Sequence, residues 1–234
     1  MKRKRFAEEQ IIGVTGGPPL HGLVLFLSGD GGWNMGVIDM AKILAAQGVL
    51  VAGLSVPAYL KAMEASPARC IDLARDLARV GEAVTAHTGM ARAAPIVAGY
   101  SSGATLANAA LVQGGPRAFK GGLSLGFGPD QAGIKPWCRG SGLSAAPISR
   151  PEHGWLFAPV ARLGVPWLVL QGGQDAVVDP AQTRGFTAKI VDAELIELPK
   201  VGHGFSVQRN WVPQFSTAFS RLVGQPAPKR GSER

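Results

Sequence analysis

Gly99-Tyr100-Ser101-Ser102-Gly103 follows the apolar run Pro95-Ile96-Val97-Ala98 and precedes a helix-forming run that begins at Ala104. A G-x-S-x-G pentapeptide between a buried strand and a helix has the form of a nucleophile elbow, a tight turn that lifts a serine hydroxyl above the end of a parallel sheet. Its glycines leave room where side chains would collide, and the serine holds an unfavourable backbone geometry. Alone the pentapeptide is weak, because a chain with 32 glycines produces it by chance about a quarter of the time. The competing reading makes Ser101 a simple helix cap, so the surrounding elements must decide.

Upstream, the continuous apolar run Leu23 to Leu27 stops at Ser28-Gly29-Asp30-Gly31-Gly32, as a buried strand stops at a loop. Helical spacing follows over 37–45, and Val49 to Leu54 reads as a second strand. Ser66-Pro67 is expected to cap and open an amphipathic helix running to about His87. Downstream, a helix is expected over 104–112, strands at Gly121–Leu125, Val165–Gln171 and Ala193–Leu198, and helices over 180–190 and 211–222. Strands alternating with helices predict an α/β fold, a mostly parallel sheet with helices on both faces. Ligands of such sheets bind beyond the carboxyl ends of the strands, where Asp30, Ser101 and Asp175 all fall. Residues 126–164, rich in Gly, Pro and Ser with Trp137, Trp155 and Phe157 among them, are expected to form a lid or binding insertion. The domain is expected to span 11–224, with flexible basic tails at 1–10 and 225–234.

At 234 residues and 46% hydrophobic, the chain suits one sizeable domain. The formal charge of +8 favours anionic surroundings, including peripheral contact with an anionic membrane. Much of that excess sits in the terminal segments, and aromatics are only 7% of residues, so no nucleic-acid partner is expected. No apolar run is long enough for a membrane span. Met1 to Arg5 resembles the charged start of a signal peptide, but Ala7-Glu8-Glu9-Gln10 breaks any apolar core behind it, so no export signal is expected. Cys70 and Cys138 lack metal-site or redox-motif spacing. One disulfide and two buried thiols remain equal alternatives.

A serine nucleophile needs a base within hydrogen-bond reach, and that base needs an orienting carboxylate. Asp175 follows the predicted strand ending at Gln171, and His203 lies between glycines after the last one. The order Ser101, Asp175, His203, each just beyond a strand, is that of the α/β-hydrolase arrangement. His21, His87 and His153 lack such a setting, and Asp179, followed by Pro180, reads as a helix cap. An oxyanion hole is expected from the amide of Ser102 and from Asp30 or Gly31 in the glycine-rich loop. That loop does not complete G-x-G-x-x-G, because Asn34 takes the last position. No metal or organic cofactor is expected.

The segment Leu25-Phe26-Leu27-Ser28-Gly29-Asp30-Gly31-Gly32-Trp33, the elbow, and Glu197-Leu198-Pro199 leading to His203 resemble the VirJ/AcvB virulence-protein family of α/β hydrolases. The resemblance spans about residues 22–222. It implies a periplasmic, virulence-associated hydrolase with Ser101 as nucleophile, Asp175 as acid and His203 as base. It further implies a small-molecule or lipid ester as substrate, with aminoacylated phosphatidylglycerol as the specific expectation. In that case the Asp30 carboxylate pairs with the α-ammonium of the aminoacyl group, whereas the simpler reading makes Asp30 an Asx-turn residue. The rival functions are a general carboxylesterase, a dienelactone-hydrolase-like enzyme, and a non-catalytic binding partner of a secretion apparatus. The oligomeric state stays open.

Overall fold

In the computed structural model, residues 11–15, 21–91, 93–150 and 153–224 are described. The expected basic tails at 1–10 and 225–234 lie outside them. The expected strands form as β2 (Leu23–Leu27), β3 (Leu50–Leu54), β4 (Ile96–Tyr100), β5 (Gly121–Leu125), β9 (Trp167–Gly172) and β10 (Ala193–Leu198), with β1 (Ile11–Thr15) ahead of them. Among the described residues these make a seven-stranded sheet in the order β1-β3-β2-β4-β5-β9-β10. Only β1 runs antiparallel to its neighbour.

Residues alternate across the strands between two cores. Leu23, Leu25 and Leu27 face one, with α2 (Val56–Ala65), α3 (Leu73–Thr88), α4 (Ser102–Gly114) and α5 (Pro180–Thr187) contributing side chains to it. Val24 and Phe26 face the other, with α1 (Met35–Ala45) and α6 (Val212–Val223). Burial on both faces explains why β2, β3 and β4 read as unbroken apolar runs. Each fully buried Leu or Phe contributes about 1.5–3 kcal/mol relative to exposure. The margin at β10 is open, and there Arg221 of α6 pairs with Glu194 while Arg184 of α5 pairs with Glu197, both exposed.

One boundary differs from expectation. Ser66 does not start a helix. It follows α2, and both its N–H and its hydroxyl donate to Met63 O. The long helix begins after Asp72, whose carboxylate accepts from the Arg75 N–H at 3.2 Å. The reason is tertiary: Cys70 is bonded to Cys138, and Ile71 makes a β-bridge to Trp137, which holds the chain extended where helical spacing suggested a first turn. The unexpected helix α2 opens at Ser55, with Pro57 in its first turn, and buries Val56, Tyr59 and Met63.

Residues 126–164 hold a second, antiparallel sheet, β6 (Asp130–Ala132), β8 (Gly154–Phe157) and β7 (Ala145–Ile148), in the order β6-β8-β7. It is fastened to the body at the Cys70–Cys138 disulfide, with Cα atoms 5.1 Å apart and a sequence separation of 68. Beside the bridge, the buried Gln113 donates to Ile71 O at 2.9 Å and Cys138 O at 2.7 Å, and accepts from Ala74 N–H at 3.2 Å. Trp137 packs edge-on against Phe157 at 5.3 Å between ring centres. Among the described residues, no helix is long and apolar enough to cross a membrane.

Candidate active site

Ser101 sits between β4 and α4 with φ +55°, in the left-handed region that non-glycine residues seldom occupy. Its backbone N–H donates to Leu125 O at 2.9 Å, which ties the turn to β5. Both elbow glycines are needed for close backbone approach. A Cβ on Gly99 would lie 2.0 Å from Gly103 O, and one on Gly103 would lie 2.2 Å from Leu27 O. Ser101 makes no capping bond to α4, so the cap reading fails and its hydroxyl is free for another partner.

That partner is His203. Ser101 Oγ lies 2.9 Å from His203 Nε2, and His203 Nδ1 lies 2.8 Å from Asp175 Oδ2. The carboxylate can only accept, so Nδ1 carries the proton and Nε2 is left to accept from the serine hydroxyl. Three side chains from the ends of β4, β9 and β10, distant in sequence, thus form one continuous hydrogen-bonded series. Asp179 is not part of it. It caps α5 by accepting from Ala181 N–H at 2.9 Å.

Asp175 is buried, and both of its oxygens are occupied. Oδ1 accepts the amides of Val177 and Val178, each at 2.9 Å, and Oδ2 accepts Gln171 Nε2 at 3.0 Å besides His203. Burial pushes its carboxyl upward, but the Val178 amide, His203 and the Val177 amide together hold it below the ordinary value. Tyr100, the second residue of the pentapeptide, is pushed up by burial and then by the Asp175 charge. Its hydroxyl donates to His203 O at 3.0 Å, fastening the histidine loop to the elbow. Phe205 closes that loop from below at φ +47°, its ring edge-on to Tyr100 and Trp211.

The Gly29–Gly32 loop is a turn closed by Gly32 N–H to Gly29 O at 2.9 Å. Gly29 lies against the elbow, since a Cβ there would come 3.2 Å from Ser101 Cβ. Asp30 and Gly31 are exposed at its corners. Ser28 anchors the entry, donating to Gly29 O and accepting from Val56 N–H, both at 3.0 Å. Trp33 anchors the exit, edge-on to Phe26 at 5.9 Å and lying where a Cβ on Gly53 would be, 2.3 Å from its ring. Ser102 is the first residue of α4, a position whose N–H has no acceptor within the helix.

Ser101, Asp175 and His203 are therefore brought together, and the Asp30-Gly31 turn and Ser102 flank them. Sequence reasoning missed Gln171, Tyr100, Phe205 and the anchoring role of Trp33. A glutamine near the end of an otherwise apolar strand was the available signal for the first. Among the described residues, no group of three or more His, Cys, Asp or Glu side chains has the arrangement to hold a metal ion.

Residues 21–117 match the model of a family described as bacterial virulence protein (VirJ). No curated protein matches the chain. Solved structures do. An esterase domain from Rhodothermus marinus superposes with a TM-score of 0.60 at 12% identity, over 90% of this chain and 91% of that one. A dienelactone hydrolase from Anabaena variabilis gives 0.58 at 17% identity, over 91% and 90%. An alpha-beta serine hydrolase homologue from Coxiella burnetii gives 0.56 at 19% identity, over 90% and 88%. The chain has the α/β-hydrolase fold, and its residues 21–117 are similar to the VirJ family.

Proposed function

We propose that the protein is a serine hydrolase that cleaves an ester through an acyl-Ser101 intermediate. The observation that carries the reading is the unbroken series from Ser101 Oγ through His203 to Asp175, at 2.9 and 2.8 Å. Ser101 Oγ attacks the ester carbonyl while its proton passes to His203 Nε2, and the ionised Asp175 stabilises the imidazolium. The oxyanion accepts from the Ser102 amide and from an amide of the Asp30-Gly31 turn, each donor being worth about 3–4 kcal/mol of barrier. The intermediate collapses as His203 returns the proton to the leaving alcohol. Water then attacks the acyl-serine with His203 as base, which releases the acid and restores the hydroxyl.

For the substrate we propose a lipid-like ester, with the aminoacyl group of an aminoacylated phosphatidylglycerol as the specific case. Val177 and Val207, 72% and 46% exposed on the loops that carry Asp175 and His203, support an apolar contact beside the site, and the net charge of +8 supports an anionic surface. Asp30, exposed next to the elbow, is suited to the α-ammonium of such a substrate. A periplasmic, virulence-associated role belongs to the same proposal. It is supported by the family match and by the Cys70–Cys138 disulfide, since disulfides persist in oxidising compartments.

A fluorophosphonate probe tests the chemistry: wild-type protein is labelled and Ser101→Ala is not. Absence of labelling in the folded wild type favours a binding role instead. Comparing lysyl- and alanyl-phosphatidylglycerol with short p-nitrophenyl esters tests the substrate. Asp30→Asn should lower turnover of aminoacyl esters selectively, and an equal loss on plain esters removes the ammonium-binding role.

A further inference from the structure

We propose that Gln171 is a positioning residue, whose side-chain amide, itself held by Thr183, fixes the Asp175 rotamer that presents Oδ2 to His203. The inference rests on the hydrolase reading and extends it to the support behind the acid.

Gln171 is the penultimate residue of β9, after Trp167-Leu168-Val169-Leu170, and is 1% exposed. A primary amide in that position is costly to bury unless its donors and acceptor are used. They are used toward the site. Nε2 donates to Asp175 Oδ2 at 3.0 Å, with a longer contact to Gly172 O at 3.5 Å. Thr183 Oγ1, fully buried on α5, lies 2.7 Å from Phe127 O and 3.3 Å from Gln171 Oε1. Its proton bridges the two carbonyl oxygens and favours the nearer. The opposite amide orientation would set Oε1 against a carboxylate, acceptor against acceptor, so the chemistry of the partners selects the one observed.

The Val177 and Val178 amides pin Oδ1 and would allow the carboxylate to pivot about that oxygen. The Gln171 amide removes that freedom at Oδ2. It stays in place whether the imidazole is neutral or cationic, because its own bonds involve no group that titrates except Asp175. The titratable groups facing Asp175 are His203 from the loop after β10 and Tyr100 from β4. From α5 the contact to the relay is Thr183, and from the segment after β5 it is the Phe127 carbonyl.

The test compares Gln171→Leu, Gln171→Glu and Thr183→Val with wild type, using p-nitrophenyl ester kinetics across pH, normalised to folded protein by circular dichroism. Gln171→Leu should lower kcat by about 10- to 100-fold with KM little changed, the scale for a misplaced catalytic group. Its acid limb should move to higher pH, because a carboxylate that has lost a donor stabilises the imidazolium more strongly. Gln171→Glu should retain activity at low pH, where the introduced carboxyl is protonated and donates to Oδ2. It should lose activity as pH rises and the two carboxylates repel. Thr183→Val should give a smaller loss of kcat in the same direction. Wild-type kcat and pH profile in both Gln171 variants overturn the proposal. Should the wild type itself neither hydrolyse nor label, it is the hydrolase reading that fails. The positioning role is then read from the His203 Nδ1–H proton resonance: a shift in Gln171→Leu supports it, and an unchanged resonance overturns it.

Discussion

Gly53→Ala isolates the anchor beneath the glycine-rich turn. The added methyl would sit 2.3, 2.4 and 2.6 Å from three ring carbons of Trp33, where ordinary contacts begin at about 3.4 Å. The indole must therefore retreat by about 1 Å, and with it the exit of the Gly29–Gly32 turn. Overpacking of this kind costs about 1–3 kcal/mol of stability. A displacement of about 1 Å in a catalytic donor costs about 100-fold in rate, so fluorophosphonate labelling should slow far more than the folded fraction falls. A double-mutant cycle with Trp33→Ala separates clash from other causes. With the indole gone, Gly53→Ala should add almost no further destabilisation in urea and no further slowing. If the Gly53→Ala penalty is the same in both backgrounds, the steric argument is wrong. If labelling is unchanged while stability drops, the turn is not coupled to the serine.

Replacing Cys70 and Cys138 by serine opens a loop closed across a sequence separation of 68 and should lower stability by up to about 4 kcal/mol on chain-entropy grounds. Dithiothreitol should move the wild-type urea midpoint toward that of the variant and leave the variant unmoved. At Phe205 the positive φ reverses the usual ranking. Phe205→Ala loses the ring and keeps a strained backbone, costing about 3–5 kcal/mol, whereas Phe205→Gly loses the same ring and relieves about 1 kcal/mol of strain. The glycine variant should therefore unfold at the higher urea concentration, and the opposite order refutes the strain argument. The lowered Asp175 carboxyl stabilises the folded state fully above its unfolded pKa of about 4, and that contribution is lost as pH falls through the lower folded value. The stability advantage of wild type over Asp175→Asn, measured by urea unfolding, should shrink as pH falls below about 4.

Much of this architecture was legible because burial on both faces writes β2, β3 and β4 as apolar runs that no amphipathic helix imitates. The positions of Ser101, Asp175 and His203 were legible for a related reason: each follows a strand end closely, and a parallel sheet brings those ends to one rim. What escaped depended on contacts distant in sequence. The Ser66-Pro67 pair carries a genuine helix-start signal, overridden by the cysteine bridge and the strand-like pairing of Ile71 with Trp137. The sheet within 126–164 was hidden because its strands are three or four residues long, with glycine and proline inside them. Gln171 and Phe205 look unremarkable in a linear reading, since an amide and a ring acquire their roles only from what stands opposite. The pairing of Cys70 with Cys138 could not be told from two thiols by spacing alone.

The paired charges along β10 bear on how the molecule behaves in a crowd. A terminal strand offers its outer amides and carbonyls to any extended segment that drifts alongside, and a six-residue strand carrying Leu195 and Ile196 is an inviting template. Glu194 and Glu197, each clasped by an arginine from a different helix, place ionic groups on both sides of that border. An incoming strand would have to desolvate them on the way to pairing. Neutralising the two glutamates should thus leave the fold standing while turning a well-behaved solution into one that self-associates.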